Sequence, residues 1–178
     1  MGTVIAITSG KGGTGKTSIT SGVAASLALM GRQVLCVDMD IGLRNLDISL
    51  GLNDRALMDF SDVALGRCPL TRAVVEHPNL KGLSLLTAPM SLPASLTSDK
   101  VRSLLQEARP NYDYILIDSP AGLGPGFRLA TCGVDRAIVI ATNDASSLRD
   151  AQRTVAELEH LRTIHLVMNR IPTKLLRK

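Results

Sequence analysis

The sequence predicts an α/β fold: a mostly parallel β-sheet covered by helices on both faces, a three-layer sandwich. Three observations carry this. Short β-branched runs alternate with longer stretches at helical spacing. Strands joined through helices pair in parallel by crossovers that cover both faces of the sheet. The first strand-like run also leads through a glycine-rich loop directly into a helical stretch, which is the context a phosphate-binding loop needs.

The elements follow in order. TVIAIT (3–8) is β-branched and bounded by glycines, hence a strand buried on both faces. Residues 17–30 are rich in Ala and Leu at helical spacing and stop at Gly31. VLCVD (34–38) is a second strand, followed by a polar loop and a helical stretch over 54–65. LSLLT (83–87) is a weaker strand. Residues 97–109 form a helix capped by Thr97 and closed before Pro110. YDYILIDSP (112–120) and RAIVIAT (136–142) are strands, 146–161 is helical, and HLVMN (165–169) is the last strand.

Composition sets the bounds. The chain has 178 residues and reads as one domain, 1–178. With 2% aromatic residues and no Trp, its core must be aliphatic. A net charge of +4 permits an anionic partner without demanding one. Cys36, Cys68 and Cys132 are far apart and form no CxxC, so they read as buried reduced thiols in a cytosolic protein rather than metal ligands. The start lacks a signal peptide's charged region and cleavage site. No apolar run approaches the roughly 20 residues of a membrane helix.

The chemistry concentrates in TSGKGGTGKTS (8–18). From Gly10 to Thr17 it reads G-x-x-x-x-G-K-T. Glycines let backbone N–H groups curl around phosphate oxygens, and the helix N-terminus adds partial positive charge. Gly10, Lys11, Gly12, Gly13, Thr14, Gly15, Lys16, Thr17 and Ser18 are therefore candidate phosphate-binding residues for a nucleotide. Lys16 would reach the β- and γ-phosphates and Thr17 would ligate Mg²⁺. GKGGTG (10–15) also fits a dinucleotide spacing, but the following Lys-Thr favours a nucleoside triphosphate. Acids are needed to hold the metal. Asp118 follows the apolar run YILI, and Asp38 and Asp40 follow VLCV. All three fall at strand ends, where ligands of such sheets sit. A carboxylate beside the γ-phosphate can orient the attacking water.

With its extra lysine at Lys11, KGGTGKT resembles the deviant Walker A motif of the ParA/MinD class of dimeric ATPases. VDMDIGLRNLDISLG (37–51) resembles the switch region of the MinD branch, which acts in septum site determination. DSPAG (118–122), SSLRDAQR (146–153) and VMNR (167–170) match further segments in family order. The resemblance implies an ATP-dependent homodimer in which Lys11 crosses to the neighbour's phosphates, so that hydrolysis needs dimerisation. It implies Lys11, Lys16 and Asp40 as the catalytic set, with Asp40 positioning the water. Thr17, Asp38 and Asp118 would hold Mg²⁺. Asn169, beside Arg170, would read adenine. Arg44 and Asn45 lie in a switch that reorders when the γ-phosphate leaves, and Asp150 lies at the dimer face. A division inhibitor (MinC) and an ATPase-stimulating protein (MinE) are the implied partners, at the inner face of the cell membrane. Family members continue beyond this length to an amphipathic membrane helix. TKLLRK (173–178) is too short to form one. A DNA-partition or flagellar-placement ATPase, and a nucleotide-gated binding module with little turnover, are the alternatives. No specific nucleic acid is expected.

Overall fold

The computed structural model describes residues 1–172, so the basic stretch 173–178 lies outside the described residues. Seven strands form one sheet: β1 (Thr3–Thr8), β2 (Val34–Asp38), β3 (Val75–Glu76), β4 (Leu83–Leu86), β5 (Tyr114–Asp118), β6 (Arg136–Thr142) and β7 (Ile164–Asn169). Their order is β3-β4-β2-β5-β1-β6-β7, parallel except for the antiparallel edge strand β3. The helices are α1 (Lys16–Leu29), α2 (Asn45–Ser49), α3 (Phe60–Ala64), α4 (Leu70–Ala73), α5 (Ser98–Ala108), α6 (Pro125–Thr131) and α7 (Ala145–Glu157). The α/β reading of the sequence holds.

Strand periodicity divides the core between the two faces of the sheet. Leu35, Val37, Ile115 and Ile117 pack with Phe60, Val101 and Leu105 on one face. Val34, Cys36 and Leu116 pack with Ala24 and Ala28 on the other. Along α1 the buried residues are Lys16, Thr20, Ala24 and Ala28. A four-residue spacing puts them on one stripe. The small alanines bring the helix close to the sheet, and the polar end of the same stripe is turned into the region beyond the strands.

The sequence overestimates some elements. Of the stretch 54–65, only α3 is helical. Asp54 sits at φ 61, in the left-handed region, and Asp59 caps the helix. Its carboxylate accepts from the Ser61 and Asp62 amides, while Asp62 Oδ2 accepts from the Asp59 amide. The strand expected over 112–120 is shorter, because Arg109–Asn111 closes as a 3₁₀ turn before it. The helix expected over 146–161 ends at Glu157. Four short elements, α2, α4, α6 and β3, were not expected. Cys36 and Cys68 are buried as expected, but Cys132 is only half-buried.

At the amino ends of the strands, Arg109 ties three segments together. Nη1 and Nη2 donate to both oxygens of Asp135 at 2.7 and 2.9 Å, and Nη1 also reaches the Gly2 carbonyl at 2.8 Å. Asp135 Oδ2 accepts the Val4 amide at 2.8 Å. Asp135→Ala would leave a buried guanidinium without its partner. We expect a loss of about 2–3 kcal/mol in urea unfolding, less than for a fully enclosed pair because Asp135 still meets water. Burial pushes the Asp135 carboxyl up, but Arg109 and the Val4 amide outweigh it, so its pKa is lowered. A depressed carboxylate stabilises above its unfolded pKa of about 4. That contribution should disappear as pH falls through the lower folded value, and the Asp135→Ala protein should lack it.

Candidate nucleotide-binding site

Thr8, Asp38, Asp118, Thr142 and Asn169 are the last residues of five parallel strands, so all five lie along one edge of the sheet. Register confirms the neighbours: Asp38 stands opposite Asp118, Ile7 opposite Asp118, and Thr142 opposite Asn169. The glycine loop runs from this edge into α1. Gly13 and Gly15 adopt φ 75 and 96, a left-handed backbone open to glycine at little strain. Gly15 is the N-cap of α1, with no side chain satisfying the helix amides. Those amides remain available to an anion.

Lys16 is buried, and its ammonium lies 3.2 Å from Ser9 Oγ. Ser9 Oγ in turn donates to the Lys11 carbonyl at 2.6 Å. Burial lowers the Lys16 pKa, while Asp118 and Asp40 favour the charged form. Burial likewise pushes the Asp118 carboxyl up to about 6 against the pull of Thr17, Lys16 and Thr20. Asp118 Oδ1 accepts from Thr20 Oγ1 at 3.3 Å, but its buried Oδ2 has no partner. Burial also pushes Asp38 up to about 7, against the Asp40 amide. Asp38 Oδ1 accepts the Asp40 amide at 2.9 Å and Oδ2 the Leu46 amide at 3.2 Å. Asp38 therefore anchors the arc that carries Arg44 and Asn45, and its two oxygens are less free than Asp118 Oδ2. Arg44 is left-handed at φ 48 and donates from Nε to Thr87 Oγ1 at 3.2 Å. Asp40 is partly buried. Burial raises its pKa and Lys16 lowers it.

These observations test the fit of Mg²⁺ and ATP. An orphaned carboxylate oxygen, two more acids and a desolvated lysine converge beside a phosphate-type loop. A hard cation would relieve the raised carboxylates, and phosphates would engage the helix amides. Thr14 Oγ1 is also buried without a partner. The residues fit the group.

Lys11 lies outside this buried cluster. Its ammonium is 3.4 Å from Asp144 Oδ1, with both side chains nearly half exposed. The Thr142 hydroxyl, the Ser147 amide and Lys11 hold Asp144 well below the usual carboxylate range, at about 2. Lys11 and Asp144 border a cleft of about 490 Å³ with Gly12, Gly13, Thr14, Asn143 and Arg170. Asn169 precedes Arg170 and donates from Nδ2 to the Thr14 carbonyl at 2.8 Å. Its Oδ1 accepts the Arg170 amide at 2.9 Å. Asp150 packs its backbone and Cβ against Gly10.

The chain matches a family model described as an AAA domain over residues 2–171. It is 41% identical over 187 residues to the septum site-determining protein MinD of Bacillus subtilis, an alignment covering 99% of this chain and 68% of that protein. The chain belongs to the MinD family. It spans about two thirds of the length of its curated MinD relatives. Among solved structures, the MinC:MinD cell division complex of Aquifex aeolicus superposes with a TM-score of 0.89 at 40% identity, over 98% of this chain and 72% of that one. The MinD of Pyrococcus horikoshii complexed with Mg-ADP gives 0.85 at 29% identity, over 99% and 76%.

Three residues of this MinD-family site escape a sequence reading. Ser9 directly precedes the loop and holds Lys16. Thr20 lies four residues after Lys16, a helical spacing that points it at Asp118. Asp144 caps α7, accepting the Ser147 amide at 2.9 Å. Its second role, facing Lys11, depends on the distance between strand ends. No helix among the described residues is long and apolar enough to cross a membrane.

Proposed function

We propose that this chain is an ATP-driven switch of the MinD type that binds MgATP, dimerises around it and hydrolyses it to regulate division-septum placement. The observation that carries the reading is the buried Lys16 that ends the glycine loop, held by Ser9 and with its charged form favoured by Asp118 and Asp40. When bound, the metal would supply charge neutralisation to the phosphates. Thr17 and Asp118 would hold it, with Asp38 behind them. Lys16 would bind the β- and γ-phosphates, and Asp40 would orient the attacking water. Asn169 would face adenine with its remaining N–H and lone pair. MinC is the proposed regulated partner and MinE the proposed stimulator, in line with the MinC complex of the Aquifex protein.

The test is the rate of phosphate release per chain as protein concentration rises, with and without lipid vesicles. A dimer-dependent ATPase gives a rate per chain that climbs with concentration, and a flat, measurable rate would overturn the dimer requirement. Asp40→Ala should keep MgATP bound while slowing hydrolysis about 10²-fold or more. Unchanged turnover would remove Asp40 from the mechanism.

A further inference from the structure

Asn169 is tied directly to the glycine loop. Its Nδ2 donates to the Thr14 carbonyl at 2.8 Å, across 155 residues of sequence. Thr14 lies between Gly13 and Gly15, the two left-handed glycines of the loop. The chain there has unusual freedom, so an outside contact is needed to choose one orientation of the Thr14–Gly15 peptide. Among the described residues no peptide bond is cis. In a trans peptide the carbonyl and the next N–H point in opposite directions. Turning the Thr14 carbonyl toward Asn169 therefore turns the Gly15 N–H away from it. A Cβ added at Gly15 would run into the Asn169 amide, so the two residues are in close contact. Asn169 is itself held, because its Oδ1 accepts the Arg170 amide at 2.9 Å and its strand is paired with β6 through Thr142. At the other end of the loop, Gly10 is packed against Asp150 of α7.

From this geometry we infer that Asn169 is a positioning residue for phosphate. It sets the Thr14–Gly15 peptide so that the Gly15 N–H faces the anion, whatever base the nucleotide carries. The inference rests on the phosphate-loop reading above and adds to it that the last strand shapes the loop. A residue that only reads adenine acts on the base. A residue that orients the loop acts on the phosphates even when no base is present.

The experiment compares Mg·ATP with Mg·tripolyphosphate, which has no base or sugar, by calorimetry on the unaltered chain, Asn169→Ala and Asn169→Asp. Ala removes the side chain. Asp keeps its volume and the acceptor for Arg170 but loses the donor to Thr14. Thermal midpoints without ligand establish that each variant is folded. Both variants should bind tripolyphosphate roughly 10-fold more weakly, the worth of one good hydrogen bond, and ATP at least as much more weakly. Asn169→Ala carries no added charge, so its loss cannot be repulsion. Weakened ATP binding beside unchanged tripolyphosphate binding by Asn169→Ala would overturn the inference and leave Asn169 a base reader. If the unaltered chain binds neither ligand, the phosphate-loop reading itself falls.

Discussion

Lys16→Ala is expected to abolish measurable MgATP binding, a loss of at least about 100-fold in affinity. Lys16 is buried, and its charge is maintained by Asp118 and Asp40 against the cost of burial. Without it, Asp118 and Asp40 lose the cation that offsets them and the loop amides act alone. The substitution should leave the fold intact, because the ammonium donates to the Ser9 hydroxyl directly before the loop. A melting curve close to that of the unaltered chain, together with a flat ATP titration, is the expected pair of results. Unchanged ATP affinity would sink the assignment of the loop to phosphate.

Lys11→Ala should behave in the opposite way. It should still bind MgATP, because Lys16 and the loop amides remain, but fail to form the ATP-dependent dimer and lose hydrolysis by about 10³-fold or more. In the single chain Lys11 faces Asp144, and an exposed pair of this kind holds weakly. It can be exchanged for a neighbour's phosphates. A crosslinked heterodimer of Lys11→Ala with Lys16→Ala separates the two geometries. Its one loaded site belongs to the Lys11→Ala chain, and the intact Lys11 stands on the other chain. Recovered phosphate release there means a lysine acting in trans, and none means a lysine acting in cis. Full activity of Lys11→Ala alone would remove both roles.

How much of this could be read in the sequence depends on the range of each interaction. The loop and α1 were legible because Gly10 to Thr17 is a local pattern and the α1 stripe is periodic. The acids were legible as strand ends, since Asp38 and Asp118 each close an apolar run. Short elements were not. The helices α2, α4 and α6 have 5, 4 and 7 residues, too few turns for a hydrophobic period to emerge. Asp59 ends the stretch 54–59 by capping, a local signal that the apolar pattern over 54–65 outweighed. The facing of Lys11 by Asp144 and of Thr14 by Asn169 spans more than 130 residues, and only strand order brings those pairs together. Asp38 shows a different limit. Its position is local, but the commitment of both its oxygens to the Asp40 and Leu46 amides is set by how the arc folds back.

The tie between Arg109 and Gly2 has a practical side. β1 runs from Thr3 to Thr8, and six residues of strand cover roughly 20 Å. Met1 is almost fully exposed at the far end of that rod from the glycine loop. The clamp holds residues 2–4 firmly against the turn at Arg109 and leaves Met1 in solvent. A fluorophore, surface anchor or affinity handle joined to Met1 would therefore stand well away from the nucleotide. The protein could be immobilised by that end with its ligand-binding pole facing the solution.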